Sequence, residues 1–178
     1  MQTVARKGKL VLKDGSVYEG ELYGKRNAVG EVVFTTGMSG YQETLTDPSF
    51  CGQIVVMTYP LVGNYGTNDL FNQGRKSFFQ GYVISELCDH PSNWRCEKTL
   101  EQFLDEQDVP VLTGVDTRAI TRKLRNYGVL QGVIVPAEMP QEEVEKLLAT
   151  PEVHIMLRSW ILVSNKIFLN IWPVLTAI

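Results

Sequence analysis

The sequence predicts a mixed α/β fold, in which helices lie on one side of the β layers. Short runs rich in Val, Ile and Tyr, which are typical of strands, dominate the first half of the chain. In the second half, segments with helical periodicity alternate with such runs. The chain has 178 residues, of which 44% are hydrophobic and 21% charged, so it is long enough to enclose a sizeable core.

The chain opens with a predicted β-hairpin. Residues 9–14 and 17–24 are apolar, β-branched runs on either side of Asp14-Gly15-Ser16, and Asp-Gly between two strand patterns favours a tight hairpin turn. Five further runs of the same character predict strands, several of them buried on both faces. They are residues 31–35, 53–59, 81–87, 109–115 and 131–135.

A short helix is predicted between the strand regions at residues 31–35 and 53–59. Ser39 and Gln42 have the spacing of a capping box, in which the Ser hydroxyl accepts a backbone N–H and the Gln side chain reaches back. Asp47-Pro48 stops the helix about two turns later. Two surface helices are predicted around Leu100, Phe103 and Leu104, and around Val144, Leu147 and Leu148 after Pro140.

The clearest helix covers residues 116–128. Asp116 is a favourable N-cap, Ile120, Leu124 and Tyr127 fall on one apolar stripe, and Gly128 suits the left-handed position after the helix. The outer face of this helix is basic and carries Arg118, Arg122, Lys123 and Arg125.

Composition argues against several classes of function. The net charge of −3 and the lack of a basic stripe argue against binding to nucleic acid. Three cysteines without CxxC spacing indicate neither a disulfide framework nor a zinc site, and neither His90 nor His154 has a partner at ligand spacing, so no metal is expected. The segment GNYGTN at residues 63–68 lacks the Lys-Ser/Thr of a phosphate-binding loop and is predicted to be a tight structural loop.

The last segment has a different composition. All 20 acidic residues lie at or before Glu152, and residues 153–178 carry only Arg158 and Lys166 as formal charges. Residues 160–178 approach the length of a membrane span, but polar residues and Pro173 interrupt them, so a membrane anchor is the less favoured interpretation.

The run GEVVFTTGMSGYQETLTDPSFCGQIVVMTYPLVGNYGTN at residues 30–68 resembles the N-terminal domain of the small subunit of glutamine-dependent carbamoyl-phosphate synthetase. The resemblance includes GKLVLKDGSVYEGELYG near the start, SNWRCEKTLEQFLDEQDVPVL at residues 92–112 and GVDTRAITRKLRNYGVLQGVI at residues 114–134. It extends in order over residues 1–150. A match of this length is far more specific than a single short motif.

The resemblance implies a layered β/β/α domain of the swivelling type, followed here by an irregular apolar tail. Family small subunits dock on a large subunit, and a C-terminal amidotransferase domain hydrolyses glutamine. The large subunit uses the ammonia, bicarbonate and ATP to make carbamoyl phosphate for pyrimidine and arginine synthesis. A cytoplasmic heterodimer is therefore expected, with ATP and metal ions on the large subunit and no cofactor in this chain.

The sequence departs from the family pattern after residue 150. Residues 153–178 contain no Cys, Gly, Asp or Glu and only one His, so they cannot supply the cysteine, histidine and carboxylate of an amidotransferase. We therefore expect residues 151–178 to be a truncated or frame-shifted tail, and we expect no catalytic residue and no glutamine hydrolysis from this chain alone.

Two sets of site residues follow from the resemblance. Ser49 is the family's position for a hydroxyl that contacts glutamine held by the amidotransferase domain; the alternative is a turn serine bonded to its own backbone. Arg118, Arg122, Lys123 and Arg125 form either a surface that faces the large subunit or a solvated helix face. For the whole chain, the alternatives are a non-catalytic interaction module and a tail-anchored membrane protein.

Overall fold

The computed structural model describes residues 5–72 and 77–149, apart from the side chain of Phe71. The predicted tail at residues 151–178, its boundary at residue 150 and the alternative of a membrane anchor lie outside these residues. Among the helices of the described residues, none combines the length and the apolar character needed to cross a bilayer.

The predicted hairpin is present. Strands β1 (Arg6–Leu12) and β2 (Val17–Tyr23) pair antiparallel, with Val11 opposite Val17. In the turn between them, the N–H of Leu12 donates to the carbonyl oxygen of Ser16, and Gly15 has a φ of 86°. Only glycine adopts such a conformation without steric cost, which explains why Asp-Gly was an informative signal here.

Seven further strands follow the hairpin: β3 (Ala28–Thr35), β4 (Ile54–Met57), β5 (Leu61–Val62), β6 (Gly81–Val83), β7 (Glu86–Leu87), β8 (Val111–Thr113) and β9 (Leu130–Pro136). Seven of the nine described strands form one closed sheet, in the order β1-β2-β8-β6-β4-β3-β9. The central part, β3-β4-β6-β8, is parallel, and the other pairs are antiparallel. A separate pair, β5 and β7, is also parallel.

The strand pairing confirms a mixed α/β fold, while the β/β/α layering is not confirmed by a sheet that closes on itself. The prediction of one strand over residues 81–87 was wrong. After β6 the chain leaves the barrel, and the N–H of Glu86 donates to the carbonyl oxygen of Pro60, which starts the pairing of β7 with β5. An apolar run does not show where a strand changes sheets, because both pieces are built from the same residue types.

All four predicted helices are present, with two errors in their ends. Ser39 does not cap the first helix. The N-cap is Gly40, which as a glycine has no side chain that could bond the helix. A complete capping box occurs instead at Thr99 and Gln102 of the second helix. The helices are α1 (Tyr41–Thr46), α2 (Leu100–Glu106), α3 (Thr117–Tyr127) and α4 (Gln141–Leu148).

Helix α3 begins as predicted, because the carboxylate of Asp116 accepts the N–H of Ala119 at 2.9 Å. Ile120 and Leu124 are buried, but Tyr127 was wrongly placed on the apolar stripe and is 75% exposed. Gly128 has a positive φ of 84° with an extended ψ of −170°, so it ends the helix without the predicted left-handed conformation.

Three apolar clusters hold the domain together, and helices contribute to each. Alternate residues of the barrel strands, such as Leu10 and Ile134, form the first cluster together with Ile120 of α3. The intervening residues of β4, β6 and β8 pack against α1 and α2 in the second cluster. Val144 of α4 packs on β1 and β9 in the third. The helices thus contact different parts of the sheet.

We expect Gly20→Ala to destabilise the barrel. A Cβ at Gly20 would collide with the carbonyl oxygen of Thr113 and would lie 2.9 Å from Cγ2 of Val115. Forcing extra volume into such a contact costs about 1–3 kcal/mol of the free energy of unfolding. Urea unfolding measures this loss. The neighbouring substitution Glu19→Ala, at an exposed position, is the matched control, and equal stability of the two variants would contradict the close approach of β2 and β8.

Candidate functional site

The segment that carries Ser49 is a short helix followed by a fixed turn. After α1, the carboxylate of Asp47 accepts the N–H of Ser49 at 2.8 Å and caps the single 3₁₀ turn Pro48–Phe50. Ser49 is exposed, and its hydroxyl forms no hydrogen bond with the described residues. The turn is therefore held by the backbone N–H of Ser49, which leaves the hydroxyl available to a ligand. A glutamine contact at this hydroxyl stays a prediction.

The beginning of α1 is capped from a distant loop. The hydroxyl oxygen of Tyr65 accepts the N–H groups of Gly40 and Tyr41, at 2.8 and 3.1 Å. The two tyrosine rings stack with centroids 4.1 Å apart, and the hydroxyl of Tyr41 donates to the carbonyl oxygen of Gly66 at 2.6 Å. Burial raises the pKa of both tyrosines, so both hydroxyls stay neutral.

Gln42 joins the same helix to the same loop. Its side-chain N–H donates to the carbonyl oxygen of Asn68 at 2.5 Å, and its amide oxygen accepts the N–H of Asn68 at 2.9 Å. A further bond from its amide nitrogen reaches Oδ1 of Asn72 at 2.7 Å. Gln42 is only 1% exposed. Its side chain therefore pairs with a neighbouring backbone, which explains why it does not complete a capping box.

Residues 63–68, here called the clamp loop, form the tight loop that the sequence predicted. Gly66 has a φ of 68°, and a Cβ there would collide with Sγ of Cys96. Backbone N–H groups of the loop bond within the protein: that of Gly66 to Gly63, that of Thr67 to Lys98, and that of Asn68 to Gln42. Because these donors are already occupied, they are not directed at a bound phosphate.

The clamp loop is held in turn by residues 92–98. The side-chain amide of Asn68 donates to the carbonyl oxygen of Arg95 at 2.8 Å and to the carboxylate of Glu97 at 2.9 Å. Thr67 forms a β-bridge with Lys98, and the N–H of Ser92 donates to the carbonyl oxygen of Asn64 at 3.0 Å. The arrangement thus continues from residues 92–98 through the clamp loop and α1 to Ser49.

The basic face of α3 is divided. Arg118, Arg122 and Arg125 are exposed and form no ion pair with the described carboxylates. Lys123 instead lies against the β1–β2 turn, with Nζ at 2.6 Å from the carboxylate of Asp14 and in contact with the hydroxyl of Ser16. Three arginines therefore remain available to a partner, while Lys123 fixes the helix to the hairpin. A partner-facing role for this face stays a prediction.

Exposed apolar side chains lie beside this basic face in the chain. Tyr127 is 75% exposed at the end of α3, Val129 is 57% exposed just after it, and Val17 is 50% exposed at the start of β2. Val17 directly follows Ser16, whose hydroxyl contacts Lys123. The C-terminal end of α3 and the hairpin turn thus combine positive charge with apolar surface.

The groups usual in covalent or metal chemistry do not gather in the part of the chain that the structure describes. Cys51, Cys88 and Cys96 are free and half-buried, and His90 is exposed. No group of three His, Cys, Asp or Glu side chains in the described ranges has the geometry to hold a metal ion. The expectation that this chain has no catalytic residue and no metal stays a prediction.

Comparison with known sequences decides the family. The sequence model for the carbamoyl-phosphate synthase small chain, CPSase domain, matches residues 10–134. The chain belongs to this family. It is 54% identical over 140 residues to the carbamoyl phosphate synthase small chain of Caldanaerobacter subterraneus subsp. tengcongensis, a match that covers 78% of this chain and 39% of that protein.

Two further relatives give the same result. The small chain of Bacillus caldolyticus is 50% identical over 145 residues, covering 80% of this chain and 40% of the relative. The pyrimidine-specific small chain of Bacillus subtilis is 48% identical over 147 residues, covering 82% of this chain and 40% of the relative. The chain thus spans about two fifths of the length of these small chains.

The family resemblance suggested Ser49, and sequence reasoning missed the residues that hold its helix and turn. Tyr65 and Asn68 lay in a segment interpreted only as a tight loop, and Gln42 was assigned to a capping box. The available signal was a long polar side chain, Gln42, between Tyr41 and Leu45, whose apolar side chains are buried.

The ion pair between Lys123 and Asp14 predicts a pH-dependent stability. Burial alone would raise the pKa of Asp14, but hydrogen bonds from Lys123 and Ser16 outweigh it and hold the pKa below its ordinary value of 3.8. The hydrogen bond to Asp14 raises the pKa of Lys123 above 10.5. The pair therefore stabilises the fold at pH values between the pKa of Asp14 and that of Lys123. This stabilisation is lost as the pH falls through the pKa of Asp14 in the folded protein, or rises through the pKa of Lys123 in the folded protein.

We expect Lys123→Met to lower the melting temperature at pH 7, with the difference from the unmodified chain shrinking as the medium becomes acidic. Thermal unfolding at a series of pH values measures this. Arg122→Met removes the same charge from an exposed position without an ion pair and is the control. A deficit of Lys123→Met that does not depend on pH would show that packing of its side chain, and not the ion pair, stabilises the helix.

Proposed function

We propose that residues 5–149 form the N-terminal domain of a carbamoyl-phosphate synthase small subunit, which docks on the large subunit and contributes Ser49 to the glutamine site. The observation that carries this proposal is the exposed, unbonded hydroxyl of Ser49 on a turn fixed by Asp47, in a chain that belongs to this family. The turn is fixed without using the hydroxyl, so binding glutamine breaks no internal bond of that group.

The chemistry of a hydroxyl suits this role. A serine hydroxyl both donates and accepts, so it can bond either the ammonium or the carboxylate of an amino acid. The same hydroxyl is a poor nucleophile without a general base, and no such base bonds it within the described residues. Ser49 would therefore contribute to binding glutamine, and this part of the chain alone would not hydrolyse it.

The proposed reaction needs groups that this domain does not supply. In the proposed assembly, an amidotransferase domain releases ammonia from glutamine, and the large subunit combines the ammonia with bicarbonate at the expense of ATP. ATP and metal ions would bind to the large subunit. The contribution of this domain is then docking, and the placement of one hydroxyl.

The exposed arginine face of α3, together with the residues that follow the helix, is the proposed docking surface. Arg118, Arg122 and Arg125 provide positive charge without ion-pair partners among the described residues, and Tyr127 and Val129, which follow Arg125 in the chain, provide exposed apolar area. Aromatic residues and arginines are enriched in the energetically important parts of protein interfaces. We propose that this surface faces an acidic region of the large subunit, where opposite charge speeds association and sets the orientation.

We expect Ser49→Ala to weaken the use of glutamine and to spare the use of ammonia. A chimera in which residues 5–149 replace the matching part of the Bacillus subtilis small chain, assembled with its large chain, provides the complete enzyme. Loss of one hydrogen bond to a charged substrate group should raise the KM for glutamine about 10-fold, with kcat little changed. Rates with glutamine and with ammonia are measured separately.

Ser39→Ala is the matched control, because Ser39 is also exposed but lies before α1 and does not cap it. If Ser49→Ala and Ser39→Ala gave the same KM for glutamine, the glutamine contact would be refuted. Should the chimera still bind the large chain in that case, a non-catalytic interaction module would become the better description of this domain.

We expect Arg122→Glu to weaken association with the large chain, because it places a negative charge in the middle of the proposed docking surface. The association rate should fall several-fold at low salt, and the difference should shrink at high salt as charges are screened. Lys25→Glu, a reversal at another exposed position, is the control. Equal association rates for the two variants would exclude the arginine face of α3 as the docking surface.

A further inference from the structure

We propose that Tyr65 and Gln42 are positioning residues for Ser49, and that the clamp loop sets where the Ser49 hydroxyl is presented. The inference rests on the proposed function, because it concerns the residue taken to contact glutamine. It assigns a role to two residues that touch neither the substrate nor the large subunit in that proposal.

Helix α1 cannot hold its own position. It has only six residues, and its N-cap is a glycine in the left-handed region, with a φ of 76°, that provides no capping side chain. A helix of this length is unstable in isolation, since nucleation costs more than so few backbone bonds return. Its place and direction must therefore come from contacts with the rest of the domain.

Tyr65 provides the missing cap. A single hydroxyl oxygen accepts two backbone donors at the start of α1, the N–H groups of Gly40 and Tyr41. The stacked ring of Tyr41, whose own hydroxyl bonds Gly66, fixes the orientation of the Tyr65 ring. The helix start is thus bonded to the clamp loop at three points, which together restrict both its position and its rotation.

Gln42 adds a second restraint one residue further on. Its amide pairs with both backbone groups of Asn68, as one strand pairs with another. This geometry requires the amide to lie in one plane at one distance, and the site is buried from water, so an imperfect fit would leave backbone groups unsatisfied. The helix therefore cannot slide along the clamp loop without breaking these bonds.

The restraint reaches Ser49 through short, bonded steps. The hydroxyl of Thr46 donates to the carbonyl oxygen of Gln42 at 3.0 Å. Leu45, which precedes Thr46 in the helix, is fully buried. Asp47 then continues from the helix end and holds the N–H of Ser49. Ser49 is thus separated from Gln42 by one bonded helix and one bonded turn. A tilt at the start of α1 would displace the hydroxyl.

The test uses Tyr65→Phe, which keeps the stacked ring and removes only the accepting oxygen. In the full 178-residue chain, hydrogen exchange of the Gly40 and Tyr41 amides should become at least several-fold faster. In the chimeric enzyme, the KM for glutamine should rise about 10-fold with little change in kcat, because a displaced hydroxyl weakens binding before chemistry. The ammonia-dependent rate should be unchanged.

Two variants guard against a purely structural effect. Tyr59→Phe removes a tyrosine hydroxyl at a partly exposed position and should change neither exchange nor KM. Gln42→Asn keeps the amide but shortens it by one methylene, so it should raise the KM as Tyr65→Phe does. If either Tyr65→Phe or Gln42→Asn lowered only the melting temperature and left the KM for glutamine unchanged, the positioning role would be overturned.

The double variant Tyr65→Phe/Ser49→Ala separates the two proposals. If Tyr65 acts through Ser49, the double variant should have the same KM for glutamine as Ser49→Ala alone. If the double variant instead showed the product of the two single-variant increases in the KM for glutamine, Tyr65 would act by another route. That result would overturn the positioning role and leave the Ser49 contact intact. An unchanged KM in Ser49→Ala itself would refute the proposed function, and the positioning role with it.

Discussion

The fold depends on the pairing of β9 with two strands at once. β9 lies antiparallel to both β1 and β3, and these two sets of hydrogen bonds close the sheet. Gly132 of β9 lies opposite Leu12 of β1 on one side and Gly30 of β3 on the other. A Cβ added to Gly132 would collide with Cγ2 of Val32. Closure leaves no free edge in the seven-stranded sheet, so every barrel strand has two neighbours.

Closure also explains the positions of the candidate sites. The parallel strands β3, β4 and β6 need crossover connections, and the first of these contains α1 and Ser49. The second contains the clamp loop. Because successive crossovers leave from neighbouring strands, the two segments lie next to each other, and Tyr65 and Gln42 join them. Helix α3 packs on the barrel through Ile120 and presents its arginines to solvent.

Most of the element types could be predicted, because each depends on local chemistry. Asp14-Gly15 predicted a turn that requires a positive φ, Asp116 predicted a cap, and the stripe of Ile120 and Leu124 predicted a buried helix face. The failures concern long-range partners. Ser39 and Gln42 have the spacing of a cap, but a buried pairing with Asn68 satisfies more backbone groups than a local bond would.

The sequence by itself determined the family and the mixed α/β class, since these follow from residue order and from conformational preferences within a few positions; the choice of Ser49 is what the family resemblance implies. Only the tertiary structure decided that the sheet closes, that Lys123 pairs with Asp14, and that the Ser49 hydroxyl is free while Tyr65 and Gln42 hold its helix. The hydrogen bonds made by Tyr65, Gln42 and Lys123 join residues that are 24 to 109 positions apart, and closure of the sheet pairs Gly8 with Pro136. Hydrogen-bond partners at such separations are selected by packing, which local sequence patterns do not encode.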